Sequence, residues 1–83
     1  MKLLKFYASW CAPCKGLSLT IENMKSSITI PVEDIDIDKN NDMARKYNVR
    51  SVPTMVIVDS TGSEVKRAVG MMNEKQVLTF LGA

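Results

Sequence analysis

Two cysteines, Cys11 and Cys14, are the residues of this 83-residue chain most plainly able to do chemistry. Their spacing, Cys11-Ala12-Pro13-Cys14, suits a dithiol that closes into a disulfide and opens again. The chain has no histidine, which excludes Ser–His and Cys–His nucleophile pairs. Two cysteines alone cannot complete a four-ligand zinc site, so no metal site is expected. Three alternatives compete with a redox pair: a structural disulfide, half of a metal site shared between two chains, and chance spacing. A loop this short gains little stability from closure. A C-x-x-C between a strand and a helix favours redox chemistry.

The elements that must position the pair can be read on either side of it. Residues 2–8 are apolar and aromatic on both faces, the pattern of a central strand covered on both sides. A helix follows from about Ala12 to about Lys25, with Cys14, Leu17, Ile21 and Met24 on one face. Cys11 then stands at the mouth of that helix, where unpaired amides and the helix dipole favour a thiolate. It is expected to be the exposed attacking thiol. Cys14, one turn in, is expected to be buried and to resolve the mixed disulfide. Pro13 suits the first helical turn, where no amide donor is needed. Ala12 is small and lets a partner approach. Gly16 costs the helix roughly 1 kcal/mol relative to Ala, which close packing near the site would explain.

Further along, residues 30–37 read as a strand whose Pro31, Glu33, Asp34 and Asp36 mark it as an edge. Asn40 or Asn41 can cap a short helix to Tyr47, and Asn48 can end it in the left-handed conformation. Residues 54–59 make a β-branched strand. A turn at Asp59-Ser60-Thr61-Gly62 leads to a returning strand over 64–69. Asn73, with Gln76 as capping-box partner, opens a last helix anchored by Val77, Phe80 and Leu81. The order is β-α-β-α-β-β-α. It predicts one α/β domain over residues 1–83, a four-stranded mixed sheet with helices on both faces. The first two strands should be parallel with a right-handed crossover.

Charge and composition exclude other classes. Lys and Arg total 11 and Asp and Glu total 9, giving +2, and the basic residues are scattered. Nucleic acid is therefore not an expected partner. No apolar run is long enough to span a membrane. The opening Met1-Lys2-Leu3-Leu4-Lys5 has too short an apolar core for a signal peptide, which points to the cytoplasm. A monomer is expected.

The segment Trp10-Cys11-Ala12-Pro13-Cys14-Lys15 resembles the active site of the thioredoxin family, Trp-Cys-Gly-Pro-Cys-Lys, departing only at Ala12. Phe6, Tyr7 and Ala8 resemble the family's preceding strand. Lys46-Tyr47-Asn48-Val49-Arg50-Ser51-Val52-Pro53-Thr54 resembles its second signature, and Gly70 matches the glycine before its last helix. The resemblance implies a thioredoxin-like fold and a thiol–disulfide oxidoreductase reducing protein disulfides, fed by a thioredoxin reductase or another thiol donor. No cofactor beyond the disulfide is implied. Pro53 would be cis and face the dithiol. Val52 would offer its backbone to an extended substrate. Trp10, Ala12, Pro13, Val52, Gly70 and Met71 would form the docking surface, with Met71 an adaptable apolar contact; core filling is as good a role for Met72. Alternatives are a glutaredoxin-like, glutathione-dependent reductase and a non-enzymatic thioredoxin-like subunit of a larger complex. The acidic residue that glutaredoxins favour at the last helix start is absent from Met71-Met72-Asn73.

Two departures stand out. Family members carry a strand and helix before the active-site strand, and only ten residues precede Cys11. The family also places a buried Asp six residues before the first cysteine, near a Lys on the next strand. Here those positions hold Lys5 and Asp34. The two form either a swapped charge pair beneath Cys14, favouring thiolates, or a solvated Lys5 with no such role.

Overall fold

β1 (Lys2–Tyr7) runs through the middle of the sheet because both of its faces are apolar. In the computed structural model, which describes residues 1–82, the strand order is β2-β1-β3-β4. β1 pairs in parallel with β2 (Val32–Asp36), placing Lys5 opposite Asp34. On its other side it pairs antiparallel with β3 (Thr54–Val58), which in turn pairs antiparallel with β4 (Glu64–Val69). β2 is an edge, as the proline before it and its carboxylates predict.

The period of two along β1 and β3 sorts side chains to opposite faces. Leu3, Met55 and Ile57 pack against Leu17 and Ile21 of α1 (Ala12–Asn23) and Val77 and Phe80 of α3 (Glu74–Leu81). Leu4, Phe6, Val56 and Val58 pack with Ile35 against Tyr47, which caps α2 (Asn41–Lys46). Helices thus cover both faces, with α2 alone on one of them. Lys5 interrupts the apolar run on the α1 face.

The helix starts follow their caps. Asn40 accepts from the Met43 amide, and Asn73 and Gln76 form a reciprocal capping box. Asn48 takes φ 54° after α2. Element ends differ from expectation by a few residues, for local reasons. α1 ends at Asn23, not Lys25: Met24 leaves helical geometry (φ −110°, ψ 17°), is 3% exposed in the core, and a 3₁₀ turn follows over Lys25–Ser27. β2 begins after Pro31, which has no amide for the ladder, although its carbonyl accepts from the Leu3 amide at 2.8 Å.

The β3–β4 turn is held by one carboxylate. Asp59 accepts from the Thr61 hydroxyl (2.6 Å), the Ser63 amide (3.1 Å) and the Thr61 amide (2.9 Å). These bonds, the Thr61 hydroxyl foremost, hold its carboxyl below the usual range. On β4, Arg67 donates to Glu64 and to the carbonyl of Tyr47, tying the strand to the end of α2.

Candidate active site

The end of β1 and the start of α1 meet at Cys11. It is the N-cap of α1 in extended geometry (φ −94°, ψ 106°), and its sulfur accepts from the Cys14 amide at 3.2 Å. The same amides that a helix leaves unpaired at its start therefore point at this sulfur. Pro13 sits in the first turn without costing a hydrogen bond. Cys11 and Cys14 form a disulfide, with Cα atoms 5.3 Å apart. Cys14 is buried, at 2% exposure.

Cys11 is not exposed in this oxidised form: it is 5% accessible, against the expectation of an open attacker. Ala8, Cys14 and the partly buried Val52 pack around it. Its sulfur is bonded to Cys14 and lies 3.7 Å from the Val52 carbonyl oxygen. The asymmetry between the two cysteines is positional: one caps the helix, and the other lies one turn inside it.

The Val52–Pro53 peptide bond is cis, and Pro53 is fully buried. The Pro53 carbonyl accepts from the Gly70 amide at 2.8 Å. That bond ties the end of β4 to the proline after Val52, whose carbonyl oxygen faces Cys11, and Gly70 takes φ 98°, a conformation open to glycine. Trp10, Ala12 and Pro13, which flank or separate the cysteines in the chain, are exposed, Trp10 at 69%, and Met71 is 50% exposed. Gly16 explains how Met71 fits. A Cβ there would lie 3.1 Å from the Met71 terminal methyl, so the glycine lets that side chain lie on α1.

Lys5 is buried, at 5% exposure. Its Nζ pairs with Asp34 Oδ1 at 2.9 Å and donates to Ser18 Oγ at 2.8 Å. Asp34 is itself largely exposed at the sheet edge. Lys5, Asp34, Ser18 and Cys14 line one groove of about 680 Å³ that opens between α1 and β2.

Two contributors to the site lay outside the sequence expectations. Asp38, in the loop after β2, accepts from the Trp10 indole at 2.9 Å and fixes the ring's direction. Ser18 anchors Lys5. The helical pattern of α1 reads Ser18 as turned towards solvent; the structure corrects this, because Ser18 follows Cys14 by one turn and its hydroxyl is taken by the buried Lys5. No sequence signal joins Trp10 to Asp38. Among the described residues, no cluster of His, Cys, Asp and Glu could hold a metal ion.

The family model for thioredoxin matches residues 1–83. The chain belongs to the thioredoxin family. The thioredoxin of Chlamydia pneumoniae is 38% identical over 80 residues, covering 95% of this chain and 76% of that protein. A bifunctional thioredoxin reductase/thioredoxin of Mycobacterium leprae is 37% identical over 81 residues, 95% of this chain and 18% of that protein. Among solved structures, a mutant thioredoxin from Halobacterium salinarum superposes with a TM-score of 0.85 at 35% identity, covering 96% of this chain and 70% of that one. The thioredoxin-like fold and the reaction class expected from the sequence both stand. This member of the family is a thiol–disulfide oxidoreductase whose redox group is its own disulfide. The relatives carry the name thioredoxin, and nothing here favours the glutaredoxin-like alternative.

Proposed function

We propose that this protein reduces disulfides on other proteins, with Cys11 as nucleophile and Cys14 as resolving thiol. The observation that supports this most is the placement of the pair. Cys11 caps α1 beside the exposed Trp10, Ala12 and Pro13, and Cys14 lies one turn inside the helix. In the reduced protein the Cys11 thiolate attacks a substrate disulfide. A Cys11–substrate S–S bond forms, the substrate bond breaks, and its electron pair leaves on the second substrate sulfur, which takes a proton from water. Cys14, losing its proton, then attacks Cys11. The Cys11–Cys14 bond forms, and the first substrate sulfur leaves and is protonated. The protein ends oxidised and the substrate reduced.

These residues give an extended substrate chain somewhere to lie. Trp10 and Met71 offer apolar contact, Ala12 and Pro13 offer little bulk, and the Val52 backbone stands beside the sulfur pair. Pro53 brings no amide of its own to that position. Electrons to reopen the disulfide come, on this reading, from a thioredoxin reductase; one relative carries both names in a single chain. The protein is proposed to work as a monomer in the cytoplasm. No described helix is long and apolar enough to cross a membrane.

Insulin reduction followed at 650 nm, with NADPH and a bacterial thioredoxin reductase, tests the proposal. Catalysed precipitation that disappears in Cys11→Ser is expected. No acceleration by the wild-type protein, with its disulfide shown to be reduced by the reductase, overturns it.

A further inference from the structure

A lysine with 5% exposure is unusual in a chain of this size, and Lys5 is not buried among charges from all sides. Its neighbour across the ladder on β3 is Met55, which is apolar. On β2 it meets Asp34, and on α1 it meets Ser18. The other titratable groups lining the groove are Tyr7 of β1 and Lys15 and Glu22 of α1. Lys15 and Glu22 are exposed, so water and salt screen them. The buried charge on the dithiol's side of the groove is therefore the Lys5 ammonium, while its counter-charge sits outward at the sheet edge.

Cys14 lines that groove too. It lies four residues before Ser18 on α1, so their side chains are neighbours, roughly 5–6 Å apart at Cβ. Lys5 Nζ is 2.8 Å from Ser18 Oγ. We propose that Lys5 is a positioning residue for the resolving step: its buried ammonium, held by Ser18 and Asp34, favours the thiolate form of Cys14 at the moment Cys14 must attack Cys11. This rests on Cys14 being the resolving thiol. The Cys14 proton leaves to water through the groove, so Lys5 neither gives nor takes one. Asp34 holds the ammonium in place and, being negative, partly opposes its field.

The two charges thus have opposite expected effects, which separates this role from one in which Asp34 is the base. The test is a titration of the reduced protein, with each cysteine followed by its own ¹³Cβ shift, together with the rate at which a preformed Cys11 mixed disulfide is resolved. Lys5→Met should raise the Cys14 pKa by about one unit. The resulting tenfold loss of thiolate is partly offset by the greater nucleophilicity of the more basic sulfur, leaving resolution about threefold slower at neutral pH. Lys5→Arg should restore both. Asp34→Asn keeps an acceptor oxygen for the Lys5 ammonium beside that of Ser18 and removes only the opposing negative charge, so it should lower the Cys14 pKa and speed resolution.

A Cys14 titration unmoved in Lys5→Met, or raised in Asp34→Asn, overturns the proposal. If Lys5→Met does not fold, the sign in Asp34→Asn decides alone. Insulin reduction by the wild type is measured alongside. Its presence with an unmoved titration defeats the role of Lys5 only, and its absence defeats the functional reading beneath it.

Discussion

Beside the β2 edge of the sheet, Lys5 places an ammonium on Asp34 and Ser18; on β4, near the other edge, Arg67 places a guanidinium on Glu64 and the Tyr47 carbonyl. Both are cation–carboxylate pairs, and both join a strand to a neighbouring element. They differ in what the cation can feel. The Lys5 side chain is 6% exposed, and it shares a groove with a cysteine. The Arg67 side chain is 31% exposed, among Tyr47, Asn48 and Ser63, away from any sulfur. A charge kept from water acts over distance at low dielectric, and one in contact with water acts on what it touches. On the proposal above, the first pair acts on the chemistry of the site, whereas the second ties β4 to the end of α2.

That division can be broken by mutation. The largest effect should come from the site side: Cys14→Ser should cut turnover on the order of a thousandfold, since an intramolecular attack is lost. It should also accumulate a mixed disulfide visible by mass spectrometry, with the melting temperature of the reduced protein nearly unchanged. On the other side, Arg67→Ala should lower stability by about 1–2 kcal/mol through lost charge-assisted hydrogen bonds. Urea unfolding reads that loss, and insulin reduction should stay within about twofold. A turnover loss that matched the Cys14 variant would end the division.

Gly16→Ala tests the border between the two roles. The new methyl must displace the end of Met71, which is half-exposed and can move. Stability should rise by up to about 1 kcal/mol from helix propensity, while KM for a protein substrate rises because Met71 leaves its place on α1.

The smallest effect is a pH dependence. Arg67 holds the Glu64 carboxyl below its usual range. As pH falls, the unfolded chain takes up that proton before the folded one. The pair's contribution is therefore complete above the usual glutamate range and is lost as pH drops through the lowered value. Wild type should exceed Glu64→Gln by about 0.5 kcal/mol near neutral pH, and the gap should close in acid. A gap that persists at low pH would mean the pair is not its source.

The frame was legible because its signals are local. The run Thr-Met-Val-Ile-Val at 54–58 is buried along its whole length, and Asn73 with Gln76 carries its capping box in the sequence itself. The cysteine spacing placed one sulfur at a helix cap and the other inside the helix. Lys5 was legible only as a choice between burial and solvent. The resemblance offered Asp34 as its partner; Ser18 Oγ, which reaches the same nitrogen from α1 and completes the arrangement, was not legible. The exposure of Cys11 was misread because helix-mouth position says nothing of how Val52, 41 residues away, covers the sulfur. Trp10 and Asp38, 28 residues apart, meet for the same kind of reason.

The direction of β1 has a practical consequence. The strand starts at Lys2 and ends at Tyr7, four residues before Cys11. At about 3.3 Å per residue its two ends are roughly 17 Å apart, with the sulfur pair beyond the far one. Met1 is 65% exposed at the near end. A linker, a dye or an electrode surface attached at Met1 therefore meets the molecule on the side away from its sulfurs, and the immobilised protein still presents its dithiol to solution.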